Sequence, residues 1–296
     1  MSRSTYQSGV ALLQVLLVTI VFSLLALQFT KSAQTQISIA AAVENRVTNQ
    51  LAVESTFNEV IFNYLSDTSV PFDVGADESN FRYSGPLMTW AEPVQWTADI
   101  LVQIQDLNGL LPQQYPSHPL WREVLRNRGL EEEVIDTYLG VWRDMLDADI
   151  NSWSFGDVEP KTLPTGQVYL NSIPQTNHVL NWVFSDRPQL SDFLNQISHI
   201  EAPFDTNIYN APSRLLDILL EESLSDTIQT LDENNARSKL PAEMLPAVLR
   251  RENIFIYESG RLLVTISART DTGYWISDWI VQRTLEQDSP YSIIRK

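Results

Sequence analysis

Between Val10 and Val70 the chain contains neither proline nor glycine. A stretch of that length without a breaker is constrained to helix far more than any other part of the sequence. Its first part, Val10 to Leu27, carries no charge, and Gln14, Thr19 and Ser23 are its only polar side chains. Extended to Thr30, the uncharged run reaches the ~20 residues that span a bilayer as helix. Arg3 lies before it and Lys31 after it. A cleavable signal peptide has an apolar core of only ~7–15 residues, followed by a small-x-small site. The nearest such site, Ser38-Ile39-Ala40, lies well past the end of this core. The basic residue ahead of the run predicts a short cytoplasmic N-terminus, with the bulk of the chain beyond the inner membrane.

The helical pattern continues past Lys31. Val53, Phe57, Val60, Ile61 and Tyr64 fall at i, i+4, i+7, i+8 and i+11, one face of an amphipathic helix. The stretch Asp67-Thr68-Ser69-Val70-Pro71 supplies a stop. The spacing therefore predicts one helix from Val10 to Leu65. Half of it suits a bilayer and half suits packing on a soluble domain.

Charge separates these parts. Residues 1–43 hold two bases and no acid, so the rest of the chain holds all 37 acids against the other 18 of its 20 bases. Such a surface has no electrostatic reason to seek nucleic acid or anionic lipid. With 296 residues, 44% of them hydrophobic, the chain can build a sizeable core in one or two domains. It has no cysteine, hence neither a disulfide framework nor a thiolate metal site.

Residues 81–106 read as β. Trp96, Ala98, Ile100, Val102 and Ile104 alternate with polar positions, the period of a half-buried strand. Asp106-Leu107-Asn108-Gly109 closes it with turn residues. Helical spacing follows over Trp121–Asn127 and Glu131–Leu146, with Gly129 as a C-cap between them. Further helices are expected at Asn177–Phe184, Gln189–Ile197, Ser213 to about Leu231 after Pro212, and Ala242–Arg250. The C-terminus returns to β. Ile254–Tyr257 leads through Glu258-Ser259-Gly260 into Leu262–Ala268, and Asp271-Thr272-Gly273 leads into Tyr274–Arg283. Two hairpins in series would make an antiparallel meander, with Trp275 and Trp279 facing inward. The economical packing is one antiparallel sheet completed by both ends of the chain and laid on the N-terminal helix. The helical section is then an insertion between strands.

Chemistry is sparsely signalled. His118, His178 and His199 have no metal-ligand spacing, and no nucleophile elbow or phosphate loop occurs among only ten glycines. Glu131-Glu132-Glu133 suits a solvated helix start, and Glu221-Glu222 a charged helix face. Asp144, Asp147, Asp149, Asp157 and Glu159 form an acidic helix end and loop. They offer oxygens for calcium without the spacing of an EF-hand.

The leader Met1–Gly9, followed by the apolar and then amphipathic helix, resembles the class III leader of type IV pilins and pseudopilins. The segment Gly9-Val10-Ala11-Leu12-Leu13 matches their cut site. The resemblance implies that a prepilin peptidase cleaves between Gly9 and Val10. The fifth mature residue would be Gln14, where most of the family carries glutamate. That departure is typical of the K-type minor pseudopilins of type II secretion.

Three further stretches resemble K-type motifs in the right order. They are Gln105-Asp106-Leu107-Asn108-Gly109, then Tyr169–Pro174 with His178-Val179-Leu180, and Asn207-Ile208-Tyr209-Asn210-Ala211-Pro212. The implied fold class is α+β: a long pilin-like helix packed on an antiparallel sheet, with a large all-α domain inserted between strands. The implied divisions are a leader (1–9), a transmembrane half-helix (10–30), and an amphipathic half-helix with the first part of the sheet (31–111). An inserted α domain (112–246) and closing strands (247–296) follow.

The implied role is a non-enzymatic subunit at the tip of the secretion pseudopilus, anchored once in the inner membrane with its bulk periplasmic. Its partners would be I- and J-type minor pseudopilins, the major pseudopilin, the prepilin peptidase and the inner-membrane secretion platform. Nucleic acid would not be among them. No cofactor is required by this reading, and calcium is an option because some K-type proteins bind it. Two other readings remain open. One is an uncleaved single-pass anchor for a periplasmic binding or sensor protein. The other is an exported enzyme.

Overall fold

A computed structural model describes residues 5–66, 91, 93–147, 152–153, 179–220, 227, 259–270, 273–283 and 291–295, with only the backbone of residues 5–11 described. The chain falls into two compact units, Met1–Ser55 and Thr56–Lys296.

Helix α1 runs unbroken from Thr5 to Ser66. It starts five residues before the expected Val10, because a single glycine inside a helix costs only about 1 kcal/mol relative to alanine and does not break it. In the first unit, residues 12–48 are exposed throughout, including Leu12, Leu16, Phe22 and Phe29. The expected apolar face is present. Val53, Phe57, Val60 and Ile61 are buried and Tyr64 is half-buried.

The second unit contains a five-stranded sheet in the order β1-β2-β5-β6-β7. These strands are β1 (Val94–Thr97), β2 (Ile100–Asp106), β5 (Arg261–Thr270), β6 (Gly273–Arg283) and β7 (Tyr291–Arg295). Every pair in this sheet is antiparallel. The strand read over 96–105 is a hairpin, with Ala98 and Asp99 at its turn. A bulge at Trp96 reconciles the two descriptions. In strict register Trp96 would oppose Leu101 and face away from Ile100. The extra residue returns it to the core face, so the period of two survives the turn. The Gln95 carboxamide donates to Thr97 O at 2.6 Å across that turn.

Strand β2 pairs with β5 over seven residues, from Ile100↔Ala268 to Asp106↔Leu262. The N-terminal and C-terminal β segments therefore do complete one sheet. Both edges of β5 are occupied, one by β2 and the other by β6. Ile254–Tyr257 lies outside the described residues. The meander is completed by β7, which no sequence pattern had marked. On the core face Val102, Ile104, Val264, Ile266 and Trp279 are buried, and Phe57 stacks on Trp279 at 4.6 Å between ring centroids. Trp275, on the same face, is only half-buried.

Between β2 and β5 in sequence lie α2 (Pro119–Asn127), α3 (Glu132–Leu146), α4 (Val179–Val183), α5 (Pro188–Gln196) and α6 (Ser213–Leu219). They enclose their own core, with Trp121, Trp142, Phe184 and Met145 fully buried. A parallel bridge of β3 (Leu111–Pro112) to β4 (Ser198–His199) ties the start of this section to the segment that follows α5. Gly129, at φ 83°, ends α2 as expected. Its N–H donates to Arg126 O, and that of Leu130 donates to Leu125 O, the paired bonds of a Schellman cap. Helix α6 is shorter than expected. Leu220 is extended and buried, so packing ends the helix where no breaker stands in the sequence. The helix expected at Ala242–Arg250 lies outside the described residues.

Candidate functional site

In the apolar part of α1 the hydroxyls are satisfied locally. Thr19 donates to Val15 O at 2.8 Å, Ser23 to Thr19 O at 2.8 Å and Thr30 to Ala26 O at 2.9 Å. Such back-bonding removes the cost of placing a hydroxyl in hydrocarbon. The helix is long and apolar enough to cross a membrane. Gln14 is exposed on it, and its carboxamide makes no hydrogen bond among the described residues. Gly9 and Val10 lie within the first turns of the same helix, where no side chain is described.

Where β2 leaves the sheet, two of the motifs noted in the sequence meet. Asp106 is fully buried, and its carboxylate is a hub. It accepts from Asn108 N at 3.2 Å, Asn210 Nδ2 at 3.1 Å, Ser259 N at 2.7 Å and Ser259 Oγ. Gln105 Nε2 donates to Asn210 O at 2.8 Å, and Asn207 N donates to Asn108 O at 2.6 Å. Short 3-10 turns at Leu107–Gly109 and Ile208–Asn210 present these groups. Gly109 is required by contact. A Cβ there would lie 2.0 Å from Asn210 O and 2.7 Å from Gln105 Nε2. The junction locks the end of β2, the approach to α6 and the start of β5 to one carboxylate. The first motif reads as a turn in sequence, and no local pattern in either stretch predicts their meeting. Tyr169–Pro174 and His178 lie outside the described residues, and Val179 and Leu180 enter the helical core.

The two described histidines, His118 and His199, serve the fold. His118 caps α2, its Nδ1 accepting from Leu120 N, and its other nitrogen lies 3.4 Å from Thr206 Oγ1. Burial lowers its pKa from 6.5 to about 4, against a smaller raising effect from its bond to the Phe204 backbone. His199 accepts from Glu201 N at 3.0 Å. His178 is not among the described residues.

Asp144 belongs to the helix-end part of the acidic stretch. It stands in the last turn of α3, fully buried, accepting from Ser152 Oγ at 3.0 Å and Trp153 N at 2.8 Å. Among the described residues no group of acids or histidines is arranged to hold a metal. Asp149, Asp157 and Glu159 lie outside the described residues. Glu132 pairs with Arg122 and Arg126 on the surface, and these two guanidiniums hold its carboxyl below the usual range. Glu221 and Glu222 lie outside the described residues.

Two open grooves flank the helical section. One, of about 480 Å³, runs past Pro116, His118, Arg122, Leu139 and Arg143 to Trp153, which is 66% exposed beneath the Arg143 guanidinium. The other, of about 450 Å³, lies between the end of α2 and α5.

No family model and no curated protein sequence matches the chain. In structure it is similar to a chain of the GspK-GspI-GspJ complex from the type 2 secretion system of enterotoxigenic Escherichia coli. The two share 11% sequence identity at a TM-score of 0.52, over 84% of this chain and 98% of that one. The chain thus shares the fold of a chain of that complex: a long N-terminal helix, an antiparallel sheet and a helical region.

Proposed function

We propose that the chain is a K-type minor pseudopilin at the tip of a type II secretion pseudopilus, not an enzyme. The observation that carries this reading is the bulky helical section between β2 and β5 of a pilin-like sheet, in a fold shared with a chain of a minor pseudopilin complex. Helix α1 anchors the subunit in the inner membrane, with the N-terminus cytoplasmic and the second unit periplasmic. A prepilin peptidase cuts between Gly9 and Val10. That peptide lies inside α1, so the first turns must unwind for the enzyme to reach it. The exposed apolar helix then packs against neighbouring pseudopilin helices, where Gln14 finds a partner for its carboxamide. I- and J-type minor pseudopilins and the major pseudopilin supply those helices, and the inner-membrane platform supports assembly. The helical section, taken as a domain over about 112–246, covers the top of the filament and blocks addition of a further subunit. This role needs no cofactor. Calcium at the acids beyond Asp147 would be a structural addition.

N-terminal sequencing of the chain from cells with an active prepilin peptidase tests the reading. The expected first residue is Val10. An intact Met1 supports the anchored binding or sensor protein instead, and a start at Ala41 supports an exported protein.

A further inference from the structure

The groove between α2 and α5 differs in charge from the chain that carries it. Its floor is apolar, formed by Leu130, Leu190 and Phe193, with Pro188 at the edge. Its rim carries two arginines and one acid, on a protein of net charge −17. The Arg128 guanidinium lies 3.5 Å above the Phe193 ring, and among the described residues it has no carboxylate partner. Across the groove, Arg187 Nε donates to Tyr138 Oη at 3.1 Å, and Tyr138 Oη donates to Asp186 at 2.6 Å. The one acid of the rim is therefore engaged by the tyrosine hydroxyl, and its contact with Arg187 is long, at 3.9 Å. Two guanidiniums held in place beside an apolar floor match a ligand that joins carboxylates to large apolar side chains. Stacking on an aromatic ring fixes a guanidinium without consuming its hydrogen-bond donors.

We infer that this groove docks a segment of a partner protein in which acidic residues flank large apolar ones, the carboxylates pairing with Arg128 and Arg187. The site stands on the geometry of α2 and α5, and its test is independent of filament assembly.

The probe is a labelled peptide, Glu-Leu-Phe-Leu-Glu, titrated onto the purified full chain in nanodiscs, beside its counterpart Lys-Leu-Phe-Leu-Lys. Fluorescence anisotropy should show the acidic peptide binding at least about tenfold more tightly, with the difference shrinking as salt rises. Arg128→Glu with Arg187→Glu should reverse the preference, and Phe193→Ala should weaken both peptides. Arg269→Glu, the same kind of charge change at an exposed position near the end of β5, should leave binding unaltered. If the double reversal misfolds by near-ultraviolet circular dichroism, Arg128→Gln with Arg187→Gln should still erase the preference. Equal binding of the two peptides overturns the inference. So does unchanged affinity in the double variant, or no binding at millimolar peptide. None of these results bears on cleavage at Gly9, so failure of the groove is distinguishable from failure of the pseudopilin reading.

Discussion

Gly109 and Gly129 are both fixed by the fold, for different reasons, and the difference is measurable. At Gly109 the obstacle is a backbone carbonyl 2.0 Å from the missing Cβ, and a carbonyl cannot rotate aside. Gly109→Ala should cost about 3 kcal/mol or more, the upper end of overpacking. At Gly129 nothing lies within 4 Å, and only the backbone angle of 83° resists a side chain. Gly129→Ala should cost only about 1–2 kcal/mol. Urea midpoints at unchanged slope should rank them in that order, and equal costs would refute the contact argument.

His118 gives the second expectation at this scale. Its folded pKa, about 4, is below the 6.5 of the unfolded chain. Between those values the unfolded state binds more protons, so stability falls as pH drops from 6.5 towards 4 and is unaffected by this group above 6.5. The loss approaches about 3 kcal/mol at the acid end. His118→Asn keeps a cap acceptor and removes the titration. Its stability should lose that part of the pH slope, and an unchanged slope would show that other groups set it.

Among the elements, α1 was the most legible in sequence, because a breaker-free run with one apolar face has a single solution. The four buried apolar positions from Val53 to Ile61 follow from spacing alone. The face also makes a prediction. Phe57 stacks on Trp279 in the sheet core, so Phe57→Ala should destabilise the second unit by about 3–5 kcal/mol, read as a lower urea midpoint of the full chain. A loss under 1 kcal/mol would mean the stack is not what holds helix to sheet.

The sheet was less legible. A two-residue turn with a bulge at Trp96 preserved the alternation it interrupted, so two strands read as one. Strand β5 carried no mark of which neighbours would flank it, and β7 follows no alternating pattern. The Asp106 hub was beyond local reading for a plainer reason. Its partners Asn210 and Ser259 are 104 and 153 positions away. Arg128 and Phe193 likewise share a groove without sharing any local pattern.

At the scale of the molecule, Asp106 and Leu262 are register partners, so the chain leaves the sheet and re-enters it at nearly one place. An insertion with adjacent ends is the kind a sheet tolerates. Replacing residues 112–246 by a short Gly/Ser linker should leave a sheet that still pairs β2 with β5, at a modest loop-closure cost. The remnant should be less stable than the intact unit, since Asp106 would keep Asn108 and Ser259 but lose Asn210. Near-ultraviolet circular dichroism and a cooperative urea transition should report a folded protein. On the proposed role, filaments would lose their tip block and secretion would fall. A folded remnant that supports full secretion would remove the helical section from that role, and an unfolded one would show that the sheet depends on it.

The reach of Asp106 also sets a schedule. A ribosome that has just released Asp106 must add 153 more residues before Ser259 exists. At roughly 5–20 residues per second, that is about 8–30 s. Through this interval β2 has β1 but no β5 to pair with, while the residues of the helical core are being made. The newborn chain thus carries β2 with one open edge for about half of its synthesis. On the proposed role, holding factors on the far side of the membrane would find their target there, before the subunit could join a filament.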